Sequence, residues 1–189
     1  MKLVVGVSGA SGSIYGLRLL QKLRAAPGAE IHLIVTRSAE KTLFLETGKK
    51  SAELKELAHY YYAFEDIGSR LASGSFRTDG MIIAPCSIHT MSAIAAGVSS
   101  NLLIRAADVS LKERRKLILM VRETPLHLGH LRTMVALAEM GAIIAPPVPP
   151  FYTKPETVLD LVDASVDRVL DLLQLPSEAC KRWDGGRVE

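Results

Sequence analysis

The residue types best suited to chemistry come directly after a short apolar run near the start of the chain. Residues 9–13 read GASGS, and they separate a β-branched segment from a helical pattern of apolar side chains. Glycine lets a ligand approach the main chain closely, and the first turn of a helix offers free N–H groups to an anion. The sequence therefore predicts a phosphate-binding turn in which Ser11 and Ser13 donate hydrogen bonds. A tight turn that holds no ligand is the alternative.

The end of the second predicted strand discriminates between mononucleotide and dinucleotide ligands. Dinucleotide-binding folds usually carry an acidic residue there, which holds the ribose hydroxyl. This chain has Thr36, Arg37 and Ser38 at that place, and its first glycines follow the spacing GxxGxxG rather than GxGxxG. Both observations favour a mononucleotide phosphate over NAD.

The chain carries more cationic side chains than one buried phosphate needs. Residues 112–116 read KERRK, and Arg105, Arg122 and Arg168 add to them. A run of this kind is most often a solvated face. The surplus of cations thus has two interpretations: a second phosphorylated ligand, or a face of the protein that is simply solvated.

Two acidic residues are candidates for proton transfer. Glu123 follows Arg122 at the end of a predicted strand, where an acid beside cations can move a proton to a leaving phosphate. A structural ion pair between the two residues is the alternative. Glu46 ends a short predicted helix, and there the pattern favours exposure to solvent over a part in catalysis.

The histidines and cysteines do not show the spacing of a metal site. His127 and His130 are three residues apart without further suitably spaced ligands, so they are predicted to be polar residues of a helix face. His89 follows a predicted strand and could contact a ligand, whereas Cys86 is expected to be a small buried residue. Cys86 and Cys180 stand far apart and outside any CxxC, which is typical of a reducing cytoplasm.

Strand and helix patterns alternate along the chain. Apolar strands are predicted at residues 2–8, 30–36, 80–84, 116–121 and 142–145, with helical segments between them. Such alternation predicts an α/β fold with a parallel sheet and right-handed crossovers. Ligands of such sheets bind at the carboxyl ends of the strands, where many of these polar residues also fall.

Several finer features are expected as well. Residues 60–75 are predicted to be irregular, Thr124 and Pro125 to begin a helix, and capping boxes to begin at Ser110 and Thr153. The length of 189 residues favours one domain over residues 1–189. A C-terminal tail is expected from about residue 176, with Trp183 as its anchor.

The overall composition excludes several classes of protein. A net charge of +3 is too small to indicate nucleic-acid binding. No apolar run approaches the ~18 residues of a membrane span, and the first residues lack the pattern of a secretory signal, so a cytoplasmic protein is expected. Hydrophobic residues make up 48% of the chain, which a sheet covered on both faces or contacts between subunits would explain.

A combination of motifs identifies a family. GASGS is followed by ASGSFRTDGM at residues 72–81, APCSIHT at 84–90, RAADVSLKERRKL at 105–117, VRETPLHLGHL at 121–131 and PPVPPFY at 146–152. From Gly6 to Trp183 the chain resembles the UbiX/Pad1 family of flavin prenyltransferases. GASGS alone would be a weak signal, but the combination is highly specific.

The resemblance implies a fold, an assembly and a reaction. The fold is a flavodoxin-like, Rossmann-type three-layer sandwich, and the assembly is a homododecamer with sites between subunits. FMN and dimethylallyl phosphate bind without metal, and the dimethylallyl group is joined to N5 and C6 of reduced FMN with release of phosphate. The product, prenylated FMN, serves UbiD-type decarboxylases, one of which acts in ubiquinone synthesis.

The resemblance also implies roles for residues at matching positions. FMN would be held by Gly9, Ala10, Ser11, Thr36, Cys86, Ser87, Ile88, His89 and Arg122. Dimethylallyl phosphate would be surrounded by Lys112, Arg122, Glu123, Tyr152 and Arg168, with Arg105 contributed by a neighbouring subunit. Ser11 and Glu123 would assist the departure of phosphate, and Glu46 would be the base that takes the proton from C6.

Three positions depart from the pattern of close family members. Thr36 stands where many have serine and keeps the hydroxyl, His89 stands where many have lysine, and Ile67 lies where some have an aromatic residue. Two other functions are alternatives. One is an FMN-dependent cysteine decarboxylase, for which His89 would be the histidine near the flavin, and the other is a non-enzymatic FMN carrier.

Overall fold

Six parallel strands form the centre of the first of two compact units. The computed structural model describes residues 1–175 and 185, and the chain divides into one unit up to Pro146 and a second from Pro147 onward. The strands are β1 (Lys2–Val7), β2 (Glu30–Val35), β3 (Tyr60–Tyr62), β4 (Gly80–Cys86), β5 (Lys116–Val121) and β6 (Ile143–Ile144). Strands β1, β4 and β5 are buried almost throughout, as expected for a parallel sheet covered on both faces.

Helices cover both faces of this sheet. The first unit contains α1 (Ser13–Ala25), α2 (Arg37–Thr47), α3 (Ser51–Leu57), α4 (Ile88–Ala95), α5 (Leu102–Lys112) and α6 (Leu128–Glu139). Helix α1 packs with α2 and α3, whereas α4 packs with α5 and α6. These groups lie on opposite faces, because in β1 Val7 packs against Gly16 of α1 while Gly6 packs against Leu103 of α5. The predicted three-layer α/β sandwich is confirmed.

The order of the strands places a crevice between β1 and β4. The sheet has the order β3-β2-β1-β4-β5-β6, which is the order of Rossmann-type sheets. Without the short edge strand β3, the remaining strands have the order of flavodoxin-like sheets. The chain thus grows toward one edge after β1 and toward the other after β4. In open α/β sheets, ligands bind where the direction of growth reverses, at the carboxyl ends of the strands.

Strand β3 corrects the prediction that residues 60–75 are irregular. Tyr60–Tyr62 pair in parallel with His32, Leu33 and Ile34 of β2. Aromatic side chains suit the partly covered edge of a sheet. A strand of three residues is too short to show the alternation of apolar and polar side chains by which strands are predicted.

Helix α6 begins later than the sequence pattern predicts. Thr124 and Pro125 lie before the helix, which starts at Leu128 with His127 as its N-cap. The Nδ1 atom of His127 accepts hydrogen bonds from Gly129 N at 3.0 Å and from His130 N at 3.4 Å. His127 is therefore a cap rather than a residue of the helix face, since its ring replaces the oxygen acceptor that usually fills this place.

The two predicted capping boxes are also wrong. Helix α5 continues through Ser110, whose hydroxyl donates back to Ala106 O at 2.8 Å. A serine within a helix can satisfy its hydroxyl in this way without starting a new helix. In the second unit the capping box lies at Thr157 and Asp160 instead of Thr153.

The second compact unit contains a 3-10 turn (Phe151–Thr153) and helix α7 (Val158–Leu172). In α7, Val162 and Val169 are buried, but Val158 is 75% exposed. The predicted anchor Trp183 and Cys180 lie outside the described residues. Within residues 1–175, none of the helices combines the length and the apolar character needed to cross a membrane.

Replacement of Gly16 is expected to destabilise the contact between α1 and the sheet. A Cβ at this position would lie 2.5 Å from Ala84 O and 3.2 Å from Val7 Cγ2. Gly16→Ala should lower the free energy of unfolding by about 1–3 kcal/mol in urea denaturation, because overpacking outweighs the better helix propensity of alanine. Gly68→Ala is the control, since a Cβ there meets only Asp66 Oδ1 at 3.5 Å. Equal effects of the two changes would contradict this packing argument.

His32 is a fully buried histidine in the middle of β2. Its Nε2 atom lies 2.9 Å from Glu30 Oε1 and its Nδ1 atom 2.9 Å from Tyr62 Oη, while its ring stacks on Tyr60. Burial lowers the pKa of His32 below the ordinary value of 6.5, although the hydrogen bond to Glu30 opposes this shift. The same hydrogen bond lowers the pKa of Glu30 below its ordinary value of 4.5. The folded protein therefore holds His32 preferentially neutral.

The free energy of unfolding is expected to fall as the pH drops below 6.5, the ordinary pKa of histidine. The unfolded chain binds this proton more readily than the folded chain does, so acid favours unfolding until the pH has passed the folded-state pKa. His32→Phe, denatured without flavin, should lose less free energy of unfolding than the wild type as the pH drops below 6.5. His89→Gln, a change at an exposed histidine, should lose as much as the wild type. The contribution of Glu30 belongs to a lower interval, below 4.5.

Candidate active site

A cavity of about 320 Å³ lies at the carboxyl ends of β1, β2 and β4. This is the crevice at which the strand order reverses. Its lining combines hydroxyl, amide and cationic groups with two apolar side chains. The lining residues are Gly9, Thr36, Arg37, Ser38, Phe64, Ser87, His89, Thr90, Asn101 and Leu103.

Three helices begin at this cavity. Thr36 Oγ1 accepts from Ala39 N at 3.1 Å at the start of α2, and Ser87 Oγ accepts from Thr90 N at 3.3 Å at the start of α4. Asn101 Oδ1 accepts from Ile104 N at 3.1 Å at the start of α5. Each helix start carries a partial positive charge. The residues present therefore fit a ligand that carries a phosphate group.

Ser8 connects two strands beneath the cavity. Its hydroxyl donates to Pro85 O at 2.8 Å and accepts from Ser87 N at 2.8 Å. The side chain is buried, so these bonds are shielded from water. Ser8 thereby holds the end of β1 against the loop that leads into α4.

A polar stripe on α2 contacts the turn between β1 and α1. Ser38 packs so closely against Gly9 that a Cβ at residue 9 would collide with it. Thr42 Oγ1 donates to Gly9 O at 3.4 Å, and Glu46 accepts from Gly12 N at 3.0 Å. Ser38, Thr42 and Glu46 are each four residues apart, so they share one face of the helix.

The carboxylate of Glu46 occupies the N-terminus of α1. Its Oε2 atom accepts from Ser13 Oγ at 2.6 Å and from Ser13 N at 2.8 Å. Burial alone would raise the pKa of Glu46, but hydrogen bonds from Ser13, Ser11 and the amides of Ser13 and Gly12 lower it below 4.5. In the predicted phosphate-binding turn, Ser13 thus binds a carboxylate of the chain itself. The helix dipole and the amides of Gly12 and Ser13 at the helix start favour a phosphate and a carboxylate alike. The carboxylate of Glu46 is the anion within hydrogen-bond distance.

Arg122 reaches the same turn from the end of β5. Its main-chain N donates to Cys86 O at 3.1 Å. Its side chain lies over Gly12, where a Cβ would be 2.7 Å from Arg122 Cδ and 2.9 Å from Nε. Gly12 has φ 96°, which glycine adopts without strain. The adjacent Glu123 accepts from Thr124 N at 2.9 Å.

The segment after β4 contributes its residues unequally. Cys86 is fully buried in the apolar core, and burial raises the pKa of its thiol to about 12. The expectation of a small buried residue is confirmed, and only the main chain of Cys86 is left to contact a ligand in the cavity. Ile88 packs against the core, whereas His89 is exposed and lines the cavity.

The basic segment at the end of α5 holds a loop of the protein. Arg115 Nη1 donates to Phe76 O at 2.8 Å and its Nη2 donates to Gly74 O at 2.6 Å. Arg105 Nε donates to Ala72 O at 3.2 Å. Part of the cationic surplus is thus structural, because these guanidinium groups satisfy carbonyl groups of residues 72–76.

The other predicted ligand-binding residues are placed in both units. In the first unit Ala10 and Ser11 lie in the turn before α1, and Lys112 pairs with Glu113 at the end of α5. In the second unit Tyr152 lies in the 3-10 turn and Arg168 lies on α7. Arg168 Nη1 is 2.6 Å from Asp171 Oδ2 on the same helix.

Comparison with known proteins assigns the family. Residues 1–173 match the sequence model of the family described as Flavoprotein. The flavin prenyltransferase UbiX of Thauera aromatica is 53% identical over 185 residues, which cover 98% of this chain and 95% of the relative. The chain belongs to the UbiX flavin prenyltransferase family. The resemblance predicted from the motifs is confirmed.

Solved structures of UbiX-like proteins share the fold. A dodecameric FMN-dependent UbiX-like decarboxylase from Escherichia coli O157:H7 is 47% identical, with a TM-score of 0.96, and the match covers 98% of this chain and 100% of the other. AnUbiX (PadA1), solved in complex with FMN and dimethylallyl pyrophosphate, is 44% identical with a TM-score of 0.96, and 98% of each chain is covered. The Rossmann-like fold expected for the UbiX family is therefore present.

Several residues of this UbiX-type site have no counterpart among the predicted ligand-binding residues. They all line the cavity, and they are Arg37, Ser38, Phe64, Thr90, Asn101 and Leu103. For Asn101 a signal was present, because asparagine before an apolar helical pattern is typical of an N-cap. For Phe64 the sequence offers no such signal, since it lies in a segment without regular secondary structure.

Proposed function

We propose that this chain is a flavin prenyltransferase. It joins the dimethylallyl group of dimethylallyl phosphate to N5 and C6 of reduced FMN and releases phosphate. Prenylated FMN then serves UbiD-type decarboxylases, in ubiquinone synthesis or in the decarboxylation of aromatic acids. The observation that carries the proposal is the turn between β1 and α1, where a cavity, the carboxylate of Glu46 and the side chain of Arg122 all reach residues 9–12. A relative 53% identical to the chain bears the name of this activity.

The cavity at the three helix starts takes FMN. Thr36 and Ser87 cap two of these helices, and the positive ends of the helix dipoles favour the phosphate of the flavin. FMN supplies the nucleophilic ring atoms, and the chain supplies binding and orientation. The residues that we assign to FMN are Gly9, Ala10, Ser11, Thr36, Cys86 through its main chain, Ser87, Ile88, His89 and Arg122.

Cationic side chains favour departure of the prenyl phosphate. Negative charge grows on the phosphate as the allylic C–O bond breaks, and fixed cations stabilise that charge. Arg122 is a cation in contact with the turn between β1 and α1, since its side chain lies over Gly12. The residues that we assign to this ligand are Lys112, Arg122, Glu123, Tyr152, Arg168 and Arg105 of a neighbouring subunit. Glu123 donates a proton to the leaving group, and Ser11 assists its departure.

Glu46 takes the proton that flavin C6 must lose. The prenyl unit forms one bond to N5 as its bond to phosphate breaks, and N5 gives up a proton while the phosphate takes one. It forms a second bond to C6 as its double bond gains one proton and C6 gives one up, so the reaction needs a base beside the ring. The lowered pKa of Glu46 keeps this carboxylate ionised near neutral pH. Its hydrogen bonds to the turn before α1 hold it beside the residues that we assign to FMN.

The assembly and the location of the protein belong to the same proposal. The UbiX-like protein of E. coli O157:H7 is dodecameric, and we assign the same assembly to this chain, with sites shared between subunits. We further propose that residues 1–189 act as one flavoprotein domain in the cytoplasm. No nucleic acid takes part.

Anaerobic incubation with reduced FMN and dimethylallyl phosphate tests this function. Mass spectrometry of the released flavin should show FMN heavier by one prenyl group, and a reaction without dimethylallyl phosphate should return FMN alone. Unchanged FMN from folded protein at saturating substrate would refute the proposal.

The same experiment separates the two alternatives. A non-enzymatic carrier would bind FMN tightly and return it unchanged. A cysteine decarboxylase would oxidise a peptidyl or pantothenoyl cysteine, and His89 in the cavity would be its histidine. Neither alternative accounts for a carboxylate and an arginine at the turn between β1 and α1.

A further inference from the structure

We propose that Ser13 is a positioning residue, which holds the carboxylate of Glu46 in the orientation needed to take the proton from flavin C6. The proposal rests on the proposed function, because it deepens the part that Glu46 has in that reaction. Ser13 is the first residue of α1, and we assign it to neither FMN nor dimethylallyl phosphate. The residue is 1% exposed, so its hydroxyl is directed by the protein and not by solvent.

The contacts of Ser13 converge on one oxygen atom. Glu46 Oε2 accepts from Ser13 Oγ at 2.6 Å, from Ser13 N at 2.8 Å and from Gly12 N at 3.0 Å. Ser11 contributes a further hydrogen bond to the carboxylate. Hydrogen bonds to an ionised acceptor are shorter and stronger than neutral ones. The hydroxyl of Ser13 thus adds the shortest of these bonds to an oxygen that the two amides already fix.

Glu46 needs such support because of its place in the fold. It lies in the last turn of α2, two residues before the C-cap Gly48, and its side chain has several rotatable bonds. Holding a flexible side chain in one rotamer costs conformational entropy, which the bonds from α1 offset. A misplacement of about 1 Å in a reacting group can cost about a hundredfold in rate. The amides of Gly12 and Ser13 and the buried hydroxyl of Ser13 together fix the base.

The bond also tunes the base, since hydrogen bonds from Ser13 help to lower the pKa of Glu46. Other groups bear on this environment as well. Tyr15 of α1 and Arg122 from the end of β5 both lie against Gly12. Removal of the Ser13 hydroxyl leaves these groups and both amides in place. The expected consequence is a rise in the pKa of Glu46.

Reduced FMN carrying deuterium at C6 gives a direct measure of this step. Attachment to N5 adds the prenyl mass and keeps the label, whereas ring closure releases the label into water. In single-turnover experiments Ser13→Ala should gain the prenyl mass at the wild-type rate and lose deuterium about tenfold more slowly. Deuterium loss slows at low pH as Glu46 becomes protonated, and in Ser13→Ala this slowing should begin at a higher pH. Ser13→Thr, which keeps the hydroxyl, should restore the wild-type pH dependence.

Two controls separate positioning from a merely structural role. Ser110→Ala removes another buried helical hydroxyl, which bonds to Ala106 O, and should leave both rates unchanged. In the Glu46→Gln background, Ser13→Ala should slow deuterium loss no further, since the two residues act as one unit. Ser13→Cys places a weak donor of similar size at the same site and should fall between serine and alanine.

Three outcomes are decisive. Wild-type pH dependence and rate of deuterium loss in Ser13→Ala would overturn the proposal, and so would an equal slowing in the Glu46→Gln background. If Ser13→Ala does not fold, the same readings on Ser13→Cys decide the matter. A wild-type protein that adds no prenyl mass would instead refute the proposed function, and this result is distinct from any change in deuterium loss.

Discussion

Glu46→Gln is expected to gain the prenyl mass on FMN and then to retain deuterium at C6. The carbonyl oxygen of glutamine can take the place of Oε2 and still accept hydrogen bonds from Gly12 N and Ser13 N, which Oε2 accepts at 3.0 and 2.8 Å. It cannot take a proton at neutral pH, so ring closure should slow by about 10²–10⁴-fold, the usual contribution of a general base. Single-turnover mass spectrometry with the labelled flavin measures attachment and closure in one reaction.

Glu40→Gln is the matched control for this prediction. Glu40 lies on the same helix, and its carboxylate is 3.9 Å from Lys55 Nζ at the protein surface. An exposed pair of this kind contributes little to stability. Both rates should therefore match those of the wild type. Fast loss of deuterium in Glu46→Gln would remove Glu46 from its role as the base.

Arg122→Ala is expected to slow release of phosphate by about 10²–10³-fold at saturating flavin, as loss of one donor to a developing anion does. The side chain of Arg122 lies over Gly12, beside the turn that holds Glu46. An alanine there removes the cation without touching the bonds of Glu46. Phosphate release measured against dimethylallyl phosphate concentration reports this loss, and titration with FMN reports the separate weakening of flavin binding.

Two further variants qualify the result for Arg122. Arg122→Lys keeps the charge but loses the planar fork of the guanidinium group, so it should recover only part of the rate. Arg77→Ala removes an exposed arginine before β4 and should leave phosphate release unchanged. If Arg122→Ala released phosphate as fast as Arg77→Ala, Arg122 would have no part in stabilising the leaving group.

The elements that position the site follow from local patterns. Strand β5 matches the predicted residues 116–121, and β1 and β2 match to within one residue at each end. Their long apolar runs each predict one type of secondary structure. The failures lie where local signals are weak or ambiguous. Tyr60–Tyr62 form a strand because β2 offers them a partner, and His127 caps α6 although the pattern favoured Thr124.

The sequence predicts where the candidate site lies, but it does not predict which side chains contact one another there. Parallel strands bring their carboxyl ends to one edge of a sheet, so Thr36, Ser87 and Arg122 were expected near a common crevice. Which side chains meet there depends on how helices pack across the sheet. The hydroxyl of Ser13 was expected on a phosphate and binds Glu46 instead. Arg115 stood in an apparently surplus basic run, yet it holds the carbonyl groups of Gly74 and Phe76.

Apolar periodicity and turn chemistry along the chain are sufficient for the α/β class and the edge of the sheet where ligands bind, and the combined motifs are sufficient for the family. These signals act between residues close in sequence, so they can be read one segment at a time. The state of the base depends on a bond across 33 residues, from Ser13 to Glu46. That bond exists only because α2 packs its polar stripe against the start of α1. Long-range packing of this kind decides which donors an anion meets, and local patterns carry no information about it.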